Sequence, residues 1–183
     1  MGIHAIHLGM TNAWIARVNK CGLPEAIMDP DNGMSRVPMA VFIGAQGEVI
    51  VGQQAIEAGN LVPERLIRNF LYMQDRSVHG MLAMMNGRTY TLETVCSYMV
   101  EQLLCIARGA GEDVKKIVLV TGAFDRIARD VLISVVKKMG LELVAAVNEI
   151  TATAWYLPDA LYEAGKTVLV YDLGGTAFQT ALI

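Results

Sequence analysis

Two short stretches of the chain carry nearly the same residues. Ile6-His7-Leu8-Gly9-Met10-Thr11-Asn12 lies near the start and Tyr171-Asp172-Leu173-Gly174-Gly175-Thr176-Ala177 near the end. Each follows an apolar run and reads as a strand entering a tight Gly/Thr turn and leaving it as a second strand. That geometry points backbone N–H groups at an anion. Used twice in one chain, it is a phosphate-clamp signature.

With 183 residues, 54% of them apolar, the chain can bury a sizeable core as one domain or two subdomains, and the composition argues against disorder. A net charge of −3 gives no electrostatic case for nucleic acid or an anionic membrane. No run approaches about 18 uncharged apolar residues, and no basic stretch leads into an apolar one at the N-terminus. A cytoplasmic protein is the expectation. Cys21, Cys96 and Cys105 are odd in number and fit no zinc spacing, so buried or idle thiols are expected. The 11 methionines read as adaptable core filling, with Met84 and Met85 as an alternative contact surface.

Residues 3–9, 12–19 and 23–28 read as a three-strand meander, left through the turn residues Asp29-Pro30-Asp31-Asn32-Gly33. A hairpin is expected over 39–43 and 48–51, followed by helices near 52–59 and 63–73, with Pro63 at the first turn of the second. Leu92, Val95, Cys96, Met99, Leu103 and Ile106 share one face of a helix over 91–109, capped by Thr91 or Thr89. The apolar run 116–120 predicts a strand covered on both faces. Asp125 can cap a helix reaching Met139, and residues 141–147 form the next strand, a strand–helix–strand unit that implies a parallel crossover. A helix from Asn148 to about Leu161, a strand over 167–172 and a last strand to Ile183 complete the plan.

Further residues refine the meaning of the repeated turn. Arg36-Val37-Pro38, Val51-Gly52-Gln53 with Ala55, Asn148-Glu149-Ile150-Thr151-Ala152 with Ala154, and Tyr171-Asp172-Leu173-Gly174-Gly175 occur together. Together with the first turn, this set resembles the actin-like ATPases and, among them, the seventy-kilodalton heat-shock chaperones of the DnaK type, from residue 3 to the last residue. The resemblance implies an α/β fold, an actin-like ATPase (ribonuclease H-like) lobe with a mixed five-stranded sheet flanked by helices. It implies a main subdomain of 1–37 and 111–165, an inserted smaller α/β subdomain of 38–110, and a second phosphate-turn hairpin over 166–183 that opens the other lobe. The peptide-binding domain of that family is not expected here. Either a piece of a longer chaperone-like protein or a natural half-length relative accounts for this extent.

The resemblance also implies ATP or ADP with Mg2+ as cofactor, and assigns candidate positions. Phosphoryl transfer relies on backbone donors, a metal ion, a cation near the transferred group and a placed water. Gly9, Met10, Thr11, Asn12, Gly174, Gly175 and Thr176 would hold phosphates, Asp172 and Glu149 would hold the metal, and Arg68, Glu149 and Asp172 would be catalytic. Several of these depart from the family pattern. His7 stands where an Asp helps hold hydrated magnesium; neutral imidazole is a poor partner for that hard ion. His7 could instead bind phosphate, or simply hydrogen-bond a neighbour. Met10 replaces a phosphate-binding Thr and cannot donate a hydrogen bond. Arg68 replaces a Lys, and its alternative is an exposed helical Arg paired with Glu64. Glu149 equally suits the first turn of a helix capped by Asn148, and Ile150 replaces a Pro. Arg129 matches a relay Arg whose partner Pro is Gly122, or forms a surface pair with Asp125. After the second turn, the family's Gly-Thr-Phe-Asp appears as Thr176-Ala177-Phe178-Gln179.

Three readings follow. The first is a DnaK-like nucleotide-binding fragment with a degenerate ATP site and weak or no hydrolysis alone. The second is a non-catalytic interaction module, a homodimer or a protein paired with a partner that supplies the missing lobe, through the exposed lobe face and C-terminal hairpin. The third is an active ATPase or sugar-kinase relative; the 148–152 element and Val51-Gly52-Gln53 favour the chaperone branch.

Overall fold

The strand Ile3–Leu8 (β1) organises the molecule. A computed structural model describes residues 2–71, 81–122, 126–156, 167–176 and 178–183. Alternation along β1 puts His4, Ile6 and Leu8 on one face and Ala5 and His7 on the other. Ile6 and Leu8 are fully buried in the main apolar cluster. β1 runs antiparallel to β2 (Asn12–Val18) and parallel to β10 (Lys116–Thr121), which runs parallel to β11 (Glu142–Asn148). With β3 (Pro24–Ala26) the order is β11-β10-β1-β2-β3, and the short β4 (Val37–Pro38) pairs with the start of β2. This is the expected mixed sheet of five strands with one short addition. A polar network interrupts the apolar face: His4 Nε2 bonds Glu112 Oε2 at 3.0 Å, and the cross-strand Arg17 reaches both Glu112 and Glu25.

Helices α2 (Leu92–Gly109) and α3 (Arg126–Lys138) cover that face. Thr91 caps α2, its side chain accepting from the Thr94 N–H at 3.2 Å. All six apolar residues expected on the inner face of α2 are buried. Cys96 lies among them, and burial pushes its thiol up to about 12; Cys21 and Cys105 are exposed and free. Asp125, expected to cap α3, lies outside the described residues. Its expected pairing with Arg129 lies outside them too; Arg129 donates from Nη2 to the Ala146 carbonyl on β11 at 3.2 Å.

The segment 38–71 corrects one expectation. β5 (Ala40–Ile43) and β6 (Val49–Val51) form the expected hairpin, and α1 (Gln53–Leu61) follows it. The helix expected over 63–73 does not form across its described part. Pro63–Arg65 makes a single 3-10 turn, and Leu66–Arg68 is a strand, β7, antiparallel to β5. Pairing Val41 with Ile67 buries both β-branched side chains in the main cluster, a gain that outweighs weak local helix preference. Asn69, with φ 53°, ends the strand. Arg68 is therefore an exposed strand residue opposite Ala40, and the helical pairing with Glu64 does not occur.

Residues 81–90, given no element by the sequence pattern, lie with Thr91 in a hairpin of β8 (Met81–Met85) and β9 (Arg88–Thr91). Its turn is Asn86-Gly87, both with positive φ, the commonest two-residue hairpin signal. Met84 is exposed there, whereas Met85 packs partly against the main cluster. Arg65 ties the two hairpins together by donating to the Ile43 and Gly44 carbonyls and to Asn86 Oδ1.

On the other face of the sheet, α4 (Glu149–Tyr156) starts directly from β11, and the rest of its expected length lies outside the described residues. β12 (Leu169–Leu173) and β13 (Phe178–Leu182) pair as a separate two-stranded sheet. Val170 packs on Ile150 and Ala154 of α4, with Val168 and Ala181 beside them. Among the described residues no helix is long and apolar enough to cross a membrane.

Candidate functional site

The two glycine turns meet. In the first, β1 turns into β2 and the Gly9 N–H donates to the Asn12 carbonyl at 3.0 Å. A Cβ at Gly9 would lie 2.7 Å from His7 Cε1 and 2.9 Å from the Asn12 carbonyl oxygen, so only glycine fits without a shift. In the second turn, a Cβ at Gly175 would lie 2.4 Å from Thr11 Cγ2 and 3.1 Å from Thr11 Cβ. Gly175→Ala should therefore push the turns apart and lower stability by about 1–3 kcal/mol, measurable by denaturant unfolding.

Beside the turns lies a cleft of about 720 Å³. His7, Gly9, Met10, Thr11 and Asn12 line it from the first repeat, Asp172, Leu173, Gly174 and Gly175 from the second, and Glu149 from α4. The structure thus brings together all but two of the candidate residues. Arg68, on β7, and Thr176, exposed beyond Gly175, are not among the described lining residues. Met10 lines the cleft while packing on the main apolar cluster, as a filler does. The sequence reading missed Arg36, Trp14 and Tyr156 as lining residues. Trp14 was findable from strand register, because it sits directly across from His7 in the β1–β2 pair.

At the centre is His7, buried and stacked on Trp14, with ring centroids 4.0 Å apart and planes at 25°. His7 Nε2 bonds Glu149 Oε2 at 2.9 Å. Facing an ionised carboxylate, this nitrogen is the donor, which assigns the tautomer from its partner. Gln179 on β13 donates from Nε2 to the other oxygen, Glu149 Oε1. The Asn148 side chain accepts from the Ile150 N–H at 3.0 Å and fixes the start of α4, so the capping role coexists with a role in the cleft. His7 Nδ1 is buried and has no hydrogen-bond partner among the described residues.

The electrostatics separate the two carboxyl groups. The His7 bond, opposed by burial, holds Glu149 below the ordinary carboxylate range. Asp172 moves the other way, raised by partial burial and then by the negative charge of Glu149. On the far face, His4 and then Arg17 hold Glu112 low. A depressed carboxyl stabilises the fold above its unfolded-state value near 4.5, and that contribution is lost as pH falls through the folded-state value. Asp172, being raised, acts with the opposite sign. Acid unfolding followed by circular dichroism should accordingly steepen below about pH 4.5. Glu112→Gln should flatten this acid limb while leaving the neutral-pH spectrum intact.

Among the described residues, no group of three or more His, Cys, Asp or Glu side chains could hold a metal ion. Comparison with known proteins matches residues 68–183 to the family model described as "Hsp70 protein". The Chaperone protein DnaK of Thermotoga petrophila is 32% identical over 183 aligned positions, covering 97% of this chain and 30% of that protein. The Chaperone protein DnaK of Thermus thermophilus is 30% identical, covering 97% of this chain and 32% of that protein. A Chaperone protein HscA homolog from Bordetella petrii is 28% identical, with 97% and 31% covered. The chain spans about a third of the length of these relatives.

Proposed function

The chain belongs to the Hsp70 family, and we propose that it is a DnaK-like nucleotide-binding-domain fragment whose ATP site is degenerate, with weak or no ATP hydrolysis on its own. The observation that carries this reading is the capture of Glu149. The family binds ATP or ADP with Mg2+, which takes hard oxygen ligands in near-octahedral geometry and keeps several waters. Here an imidazole stands in place of the first-turn Asp, and both oxygens of Glu149 already accept hydrogen bonds from protein N–H groups. The residues present do not fit magnesium.

Without the ion, Glu149 and Asp172 would face the phosphates as unscreened negative charge, and only Arg36 among the described lining residues offsets them. Met10 adds an apolar side chain where the family pattern places a hydroxyl. Among the described lining residues no cation stands for the transferred group at position 68, since Arg68 lies on β7 outside that lining. Losing a single electrostatic element of this kind typically lowers a rate about 100-fold to 1000-fold. Phosphate release from ATP with magnesium is expected to stay at the buffer rate; sustained turnover abolished by Asp172→Asn would contradict the reading. The division into a main and an inserted subdomain, and a cytoplasmic location, belong to the same proposal.

A second reading, an interaction module, is favoured by the outer face of the last hairpin. Leu169, Tyr171 and Leu173 on β12 face the same way as Phe178 and Leu182 on β13. All five are exposed, Leu173 at 78% and Leu182 at 73%. A contiguous apolar face of this kind favours a homodimer or a partner that supplies the other lobe. Sedimentation at high micromolar concentration tests this: self-association supports it, and a compact monomer with a protected hairpin opposes it.

A further inference from the structure

The two positions that depart most from the magnesium-binding pattern converge on one side chain. His7 lies on β1 and Gln179 on β13, and each donates to a different oxygen of Glu149, the first residue of α4. A carboxylate that in the family pattern reaches the waters of a metal ion is here gripped by two protein donors. We propose that His7, Glu149 and Gln179 form a metal-free latch that fastens the β12–β13 hairpin to the main sheet, taking over the joining role of a bound cation. The latch goes beyond the loss of ATP chemistry: it states what these residues do in its place. It rests on the reading that the cleft does not take magnesium, but its test needs no nucleotide.

Beyond the meeting of Gly175 with Thr11 at the turns and Asp172 beside Glu149, little else holds the hairpin. It shares no strand pairing with the main sheet among the described residues. Its apolar contact with α4 centres on three buried residues, Ile150, Ala154 and Val170. Its other face is the exposed ladder of Leu169, Tyr171, Leu173, Phe178 and Leu182. Hydrogen bonds to a charged group are among the stronger polar contacts, and these two span the seam between the hairpin and the sheet. Stacking on Trp14 fixes the imidazole plane, so His7 presents Nε2 to Glu149 in one orientation. His7 and Gln179 act through Glu149 and are positioning residues.

Amide hydrogen exchange on the full 183-residue chain reads the latch directly. The β12–β13 amides should exchange at the same rate in chelator and in millimolar magnesium chloride. Gln179→Leu, at a partly exposed site that threatens no core, should speed their exchange about ten-fold while β1 and β10 amides are unchanged. His7→Leu should do the same, whereas His7→Gln, which keeps a donor, should stay near the wild-type rate. Hairpin protection that appears only with magnesium, or a wild-type rate in Gln179→Leu, would overturn the proposal. A chain that hydrolyses ATP yet shows magnesium-independent, Gln179-dependent protection would sink the proposed function and leave the latch standing.

Discussion

Replacing Leu119 by alanine should lower the unfolding free energy by about 2–5 kcal/mol and the melting temperature by roughly 5–15 °C. Leu119 is fully buried in β10, the strand between β1 and β11, and its Cα pairs with Ile6 on one side and Ala146 on the other. Helices α2 and α3 close over this layer, so the vacated space cannot collapse easily. Thermal unfolding by circular dichroism checks the value. A change below about 1 kcal/mol would mean that the sheet centre is not packed as described.

Glu149→Leu is the second large change. It removes the acceptor of both His7 and Gln179 and leaves the His7 imidazole, already without a described partner at Nδ1, buried with neither nitrogen satisfied. Stranding a buried polar group costs about 1–3 kcal/mol, and the Gln179 amide adds a smaller part because it can turn to water. A loss of roughly 2–4 kcal/mol is expected in denaturant titration. Part of it should be recovered by the double variant His7→Leu with Glu149→Leu, which removes the stranded group as well. Equal stability of Glu149→Leu and wild type would show that the carboxylate is not held as described.

Much of the frame was legible because it rests on local patterns. The alternation of β1, the three- and four-residue spacing in α2, and the repeated Gly/Thr turn each fit within a short window, whereas in α3 the row Ile127, Val131 and Val135 is not the buried one: Ile127 is exposed and Ala128, Leu132, Val135 and Val136 face the core. β7 was misread because Leu66 and Ile67 suit either period, and only the distant β5 decides between them. The β8–β9 hairpin was legible in principle from Asn86-Gly87, a signal the reading passed over. In the cleft, the glycines and carboxylates could be named from the resemblance of the two turns and the 148–152 element to the chaperone pattern. Their use could not, because the bond that commits Glu149 joins residues 142 apart in sequence. Gln179 appeared in the sequence as a lost carboxylate; its gain of a donor shows only in three dimensions.

The residues at positions 7 and 179 act as a pair. Changing an acid to His at position 7 alone would leave Glu149 with one oxygen open, and an acid at position 179 would repel it. With donors at both positions, both oxygens of the carboxylate are hydrogen-bonded without an ion. Reversing only one of the two should leave the carboxylate partly engaged, so a magnesium site should need both reversals.

Calorimetric titration with ADP, run once with magnesium and once with chelator, probes the cleft most directly. No saturable, magnesium-dependent heat is expected at micromolar chain and ligand. A micromolar site that requires magnesium and disappears in Glu149→Gln would contradict a cleft in which protein donors have taken the place of the metal.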